Sequence, residues 1–314
     1  MLLHDRFGRY IKNLRISVTP LCNLNCFYCH REGIYSFYHC IKEKRTKRLL
    51  SADEIKKVVR VTTEFGIREV KLTGGEPLLR EDILTIIERI REIRQIIDIS
   101  LVTNGHFLEN LAYKLKESGL DRINVSLPSL NSEKYSFITG YTKKDGVDKV
   151  LKGIKNAVEA GLKPVKINIV VLKGINDNEI SDYIDLANKV NASVQFIELQ
   201  DPNGFNSKFF SKYFYPLKDL ETQLEKDAEK VIVREMHHRK RFIINGTEIE
   251  IVRPMFNREF CMHCTRIRIT AEGEFKPCLM RDDNHIDFSA YIDNENMLRQ
   301  KFLEAVLRRE PYFS

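Results

Sequence analysis

Strand-like and helix-like segments alternate six times along the first two thirds of this 314-residue chain, and that rhythm permits few folds. Residues 14–19, 69–73, 98–103, 121–127, 165–172 and 193–199 are short runs rich in β-branched residues. Helical patterns separate them. Ser51-Ala52-Asp53-Glu54 is a capping box opening a helix with Ile55, Val58, Val59 and Thr62 on one face, and the next helix carries Ile83, Ile86, Ile87, Ile90 and Ile93 at helical spacing. Parallel strands need crossover helices, so the pattern predicts an α/β fold. The mostly apolar strands imply a parallel sheet buried on both faces, curled into an incomplete (β/α)6 TIM-type barrel with its site at the strands' C-terminal ends. The rhythm breaks at Asn203-Gly204-Phe205-Asn206. Strand-like runs at 231–234, 241–244, 248–252 and 266–270 then predict a C-terminal β-rich extension, dividing the chain into domains 1–203 and 204–314.

A composition of 43% hydrophobic and 30% charged residues is that of an ordinary globular protein. No stretch approaches the roughly 20 apolar residues of a membrane span, and Met1-Leu2-Leu3-His4-Asp5-Arg6 lacks the apolar region of a signal peptide. The expectation is a cytoplasmic protein with no membrane partner. The formal charge of +7, from 51 basic and 44 acidic residues, is modest and spread out. Its densest run, residues 42–48, reads as a solvated loop, so no nucleic-acid partner is expected. Basic residues lining a pocket for a polyanionic small molecule fit the same charge.

Six of the seven cysteines fall into two triplets, Cys22, Cys26, Cys29 and Cys261, Cys264, Cys278, while Cys40 stands apart as an incidental thiol. In a reducing compartment such clusters mean metal or catalysis more often than disulfides. A structural tetrahedral site wants four thiolates. A cluster held by three leaves one iron open to another ligand. The first triplet, C-x3-C-x2-C, sits on the loop after strand one, where barrel chemistry occurs. Together with Thr73-Gly74-Gly75-Glu76-Pro77 after strand two, it resembles the radical S-adenosylmethionine superfamily. The resemblance implies that this cluster binds S-adenosyl-L-methionine and cleaves it to a 5′-deoxyadenosyl radical. It assigns Tyr28, Gly74, Gly75, Glu76, Ser126 and Gln200 to cofactor binding.

The second triplet, C-x2-C-x13-C, carries Arg266 and Arg268 two residues apart on one strand, which puts both guanidiniums on one face. With Phe7-Gly8-Arg9 and Val165-Lys166-Ile167-Asn168, it resembles the GTP 3′,8-cyclase family of molybdenum cofactor biosynthesis, from residue 5 to about residue 284. That resemblance implies a lyase with two [4Fe–4S] clusters, the second in the C-terminal extension. Its substrate would be GTP, held by Arg15, Lys71, Thr103, Lys166, Arg266 and Arg268. Arginine's fork suits phosphate oxygens. Hydrogen leaves ribose C3′, and the C3′ radical adds to guanine C8 to give (8S)-3′,8-cyclo-7,8-dihydroguanosine 5′-triphosphate. No side chain is assigned as catalytic, because the cofactor carries the chemistry. An electron donor and a downstream cyclic pyranopterin monophosphate synthase are the implied partners. The rival readings are a two-cluster radical enzyme acting on peptide or tRNA, and a metal protein that binds nucleic acid without chemistry. Several positions depart from the family: Gln195 and Lys71 replace common arginines, Pro128 a frequent Asp and His30 a common Met, and the chain lacks a Gly-Gly tail.

Overall fold

The computed structural model describes residues 3–29, 48–200 and 207–313. Cys40, His30, the basic run up to Lys47 and the break at 203–206 lie outside the described residues.

Six strands follow the expected rhythm: β1 (Asn13–Ser17), β2 (Glu69–Thr73), β3 (Asp98–Thr103), β4 (Arg122–Ser126), β5 (Val165–Val171) and β6 (Ser193–Glu198). They pair in that order, all parallel. Helix α1 (Ala52–Thr63) starts where the sequence says it should. The Ser51 hydroxyl accepts from the Glu54 amide at 3.3 Å, and the Ser51 amide donates to the Glu54 carboxylate at 2.8 Å. Both orphan N–H groups are satisfied locally. Its face of Ile55, Val58, Val59 and Thr62 is buried, as are Ile83, Ile86, Ile87 and Ile90 of α2 (Ile83–Arg91).

Beyond residue 203 come β7 (Lys230–Val233), β8 (Lys240–Ile244), β9 (Thr247–Val252) and β10 (Arg266–Ile269), with β11 (Glu274–Lys276) and β12 (Ile286–Asp287). These later strands extend the barrel sheet at both edges. Strand β9 pairs parallel with β6 and β10 parallel with β1, giving one twelve-stranded sheet in the order β12-β11-β10-β1-β2-β3-β4-β5-β6-β9-β8-β7. The sheet is therefore continuous across the boundary at 203.

The inner face differs from the expectation of apolar strands on both sides. Leu14, Ile16, Val70, Leu72, Ile99 and Leu101 are at most 1% exposed and belong to the main apolar core. The alternate residues Asn13, Arg15, Lys71, Asn124 and Lys166 line a chamber instead. An inner face that surrounds a ligand space need not be apolar.

Candidate active site

Parallel pairing places Arg268 of β10 opposite Arg15 of β1, and Arg15 opposite Lys71 of β2, so three cations stand side by side across adjacent strands. They face a chamber of about 340 Å³, which Lys166, Gln195, Ser126, Tyr28 and Gln200 also line. Cys29 opens onto it from the first triplet, and Cys261, Cys264 and Cys278 from the second. The six triplet cysteines are free thiols. Residues more than 230 positions apart in the sequence thus share one space.

The cysteine loop after β1 is packed against the Gly-Gly turn after β2. The Gly75 amide donates to Thr19 O at 2.8 Å and the Glu76 amide to Leu21 O at 2.7 Å. A Cβ at Gly75 would lie 1.9 Å from Leu21 O, so no larger residue fits that approach. Burial pushes the Cys22 thiol up to about 11. Burial also raises Cys26, and the neighbouring Cys29 and Cys22 add to it. Cys29 is exposed beside them, and three thiols crowded on one loop favour a cation that would take their protons' place.

Glu76 is buried at the head of the turn. Its carboxylate accepts from the Thr103 hydroxyl at 2.6 Å and from the amides of Asn104 at 2.6 Å and Leu78 at 3.1 Å. Burial still raises it to about 7. Thr103, expected on the substrate, thus gives its hydroxyl to Glu76 and is not among the chamber-lining residues.

The cations are crowded. Burial, then Arg122, Arg266, Arg15 and Lys166, hold the Lys71 ammonium well below its ordinary value, with one hydrogen bond to Asn124 Oδ1 at 3.0 Å. Burial and the neighbouring Arg15 and Arg268 likewise depress Arg266. Lys166 is paired with Glu250 and, at 3.2 Å, with Glu248. Glu250 also meets Arg239 at 3.0 Å and Arg234 at 3.5 Å. Burial works against the Glu250 carboxylate, but Arg239, Lys166 and Arg234 outweigh it and hold the group far below the usual carboxylate range. Gln195, where a family arginine was expected, lies opposite Glu250, and Arg234 and Arg239 bring cations to that wall from elsewhere in the chain. Buried like charges in this number call for a polyanion.

A buried brace holds the second triplet. Arg9 Nη1 donates to the Cys261 carbonyl at 3.0 Å, and Arg309 donates to the Cys264 carbonyl. Asp5 joins the two arginines, at 2.8 Å from Arg9 and 2.9 Å from Arg309. Burial raises the Cys264 thiol, but Arg309, Arg268 and Arg266 outweigh it, so the net shift is downward, toward the ligating thiolate. Tyr312 and Phe313 lie in the chamber wall, and their backbone amides reach the Cys261 sulfur. Arg9, Arg122, Arg234 and Arg239 were not anticipated as site residues. Reading every second strand residue back from Asn124 would have found Arg122, whereas residues 312–313 offer no local signal.

The Radical SAM superfamily matches residues 16–187, and Molybdenum Cofactor Synthesis C matches residues 192–314. A "Probable GTP 3′,8-cyclase" of Pyrococcus abyssi is 48% identical over 321 residues, covering 100% of both chains. One of Methanocaldococcus jannaschii is 45% identical over 316 residues, covering 99% of each. The chain belongs to the GTP 3′,8-cyclase family of the radical SAM superfamily. Among solved structures, Streptococcus suis SuiB bound to S-adenosylmethionine superposes with a TM-score of 0.68 at 16% identity, covering 96% of this chain and 69% of that one. The structure of anSMEcpe with bound AdoMet gives 0.62 at 18% identity, covering 95% and 84%. These two establish the fold alone. Membership brings S-adenosylmethionine and an iron–sulfur cluster as cofactors, and the first thiol triplet with its Gly-Gly-Glu turn suits both. Among the described residues of this radical SAM cyclase, no helix is long and apolar enough to cross a membrane.

Proposed function

We propose that this chain converts GTP to (8S)-3′,8-cyclo-7,8-dihydroguanosine 5′-triphosphate, an early step of molybdenum cofactor biosynthesis. One observation carries the reading: Cys29 of the first thiol triplet and all three thiols of the second open into a single chamber lined by a row of cations. A donor set of three thiols suits a [4Fe–4S] cluster with one open iron, and both triplets have it. Held by Cys22, Cys26 and Cys29, a cluster with S-adenosylmethionine would supply the radical chemistry needed at ribose C3′.

The chain's own residues do the rest. Gly74 and Gly75 let the backbone approach closely, Tyr28, Ser126 and Gln200 line the cofactor's place, and buried Glu76 holds the turn beside it. Arg15, Lys71, Lys166, Arg266 and Arg268 hold the triphosphate, and Cys261, Cys264 and Cys278 hold the cluster that anchors guanine. Thr103 acts through Glu76 rather than on the nucleotide. The chamber fixes C3′ near the radical and keeps water out. An electron donor and a downstream cyclic pyranopterin monophosphate synthase complete the cytoplasmic setting. The cation row favours GTP over the peptide and tRNA alternatives, because its charge is enclosed in a chamber and not spread over a surface.

The test is anaerobic turnover with GTP deuterated at C3′. Deuterium is expected in 5′-deoxyadenosine, together with a cyclised nucleotide. Label that stays in the nucleotide while deoxyadenosine accumulates would refute the assignment.

A further inference from the structure

Just outside the second thiol triplet, His238, Glu259 and His263 converge, one ligand atom from each lying within 4.8 Å of the others. Glu259 and His263 are one turn apart, at and just beyond helix α9 (Arg258–Met262), so they share a face. His238 comes from the turn between β7 and β8. Its Nδ1 stands 3.5 Å from Glu259 Oε2. That is longer than a hydrogen bond, yet close to the edge of about 3.4 Å of a coordination tetrahedron with bonds of about 2.1 Å. His263 Nδ1 lies 2.9 Å from the Glu259 carbonyl oxygen. The same Nδ1 lies 3.4 Å from Glu259 Oε2, and whichever ring nitrogen lacks the hydrogen is the one free to ligate. The two imidazoles stack with centroids 3.1 Å apart, closer than the roughly 5 Å between two rings on one tetrahedral ion, so metal binding would swing one ring outward.

The turn that delivers His238 is held at a cost. His237 and His238 are consecutive non-glycine residues in the left-handed region, at φ 64° and 47°. Residues with a Cβ adopt that region only under strain. The His237 amide donates to His263 O at 2.7 Å, and its ring stacks on Phe260 at 3.7 Å. The strained turn is therefore clamped to the segment that carries Cys261 and Cys264.

We propose that His238, Glu259 and His263 form a mononuclear site for a divalent transition metal of zinc type, separate from the thiol triplets. Two imidazole nitrogens and one carboxylate oxygen suit zinc rather than calcium or magnesium, and water completes the tetrahedron. A metal there staples the β7–β8 turn to α9, and through it to the thiols of the second triplet.

The experiment uses the full chain with its iron–sulfur sites loaded anaerobically, so that the cysteines are occupied. It is incubated with equimolar zinc, passed over a desalting column, and assayed for zinc and iron by mass spectrometry. About one zinc per chain is expected, with iron unchanged and the thermal midpoint raised. In His238→Ala zinc affinity, read by competition with a chromophoric chelator, is expected to fall tenfold or more, again with iron unchanged. Should His238→Ala lose iron, Glu259→Gln decides, since that side chain is 71% exposed and its loss leaves the turn intact. The proposal is overturned if no zinc is retained, if zinc uptake displaces iron, or if Glu259→Gln binds zinc as tightly as the parent.

Discussion

Replacing Arg268 with methionine should weaken GTP binding while slightly stabilising the protein without nucleotide. Arg268 is only 8% exposed, and its register partner across the β10–β1 pair is Arg15. Adjacent strands run about 4.8 Å apart, and like charges about 5 Å apart repel by about 3 kcal/mol at an effective dielectric of about 20. Side-chain adjustment and local partners lower this, leaving about 1 kcal/mol of relief when one charge is removed. Methionine keeps the apolar stem and its packing. With an unfolding entropy of about 2.1 cal/mol/K per residue, that relief raises the thermal midpoint by about 1.5 °C. The nucleotide complex responds in the opposite sense. Losing a charge-assisted contact to phosphate costs about 1.5–3 kcal/mol, which is about 12- to 140-fold in Kd. The assay is GTP titration of the anaerobically reconstituted protein by calorimetry, with S-adenosylmethionine affinity and the thermal midpoint measured on the same preparation. Unchanged GTP affinity, or an equal loss for both ligands with a lower midpoint, would show that the cation row is structural scaffolding.

Three further expectations test other parts of the site. Gly75→Ala forces a Cβ onto Leu21 O and should abolish S-adenosylmethionine cleavage and lower iron at the first triplet, while the second keeps its complement; full cleavage activity in this variant would contradict the close approach. Cys264→Ala leaves the radical-forming side intact, so deoxyadenosine should still form while cyclised nucleotide nearly vanishes; both are read from one vial, and normal cyclisation would make the second site merely structural. Lys71 is held down by burial and by neighbouring cations, and a bound triphosphate raises it again, so the complex carries more protons than the free protein. GTP affinity should therefore fall as pH rises through the window between the free and bound values. Calorimetry in two buffers of different ionisation enthalpy should show proton uptake that Lys71→Met lacks.

Local sequence was sufficient for the elements. The capping box at Ser51, the isoleucine face of α2 and all six barrel strands follow from periodicity and end signals that act within a few residues. The two cysteine spacings were legible for the same reason, since each triplet lies on one short segment or its immediate continuation. Tertiary structure alone decided where these pieces meet. Strand β10 pairs with β1 across some 250 residues of chain, and β9 closes onto β6, because open edges of a parallel sheet seek partners that periodicity does not specify. That pairing sets Arg268 beside Arg15 and Lys71, and turns strand-end cations that could have been solvated into the wall of a chamber. The hydroxyl of Thr103 could serve a substrate or a buried carboxylate equally well in sequence, and only the approach of β3 to the Gly-Gly-Glu turn gives it to Glu76. Arg309, Tyr312 and Phe313 carry no motif of their own, and the motif that holds Arg9 does not say what it touches; they matter because folding brings them to the carbonyls and sulfur of the second thiol triplet. Residue patterns record the chemistry a segment can perform, and contacts between distant segments determine which of those capacities is used.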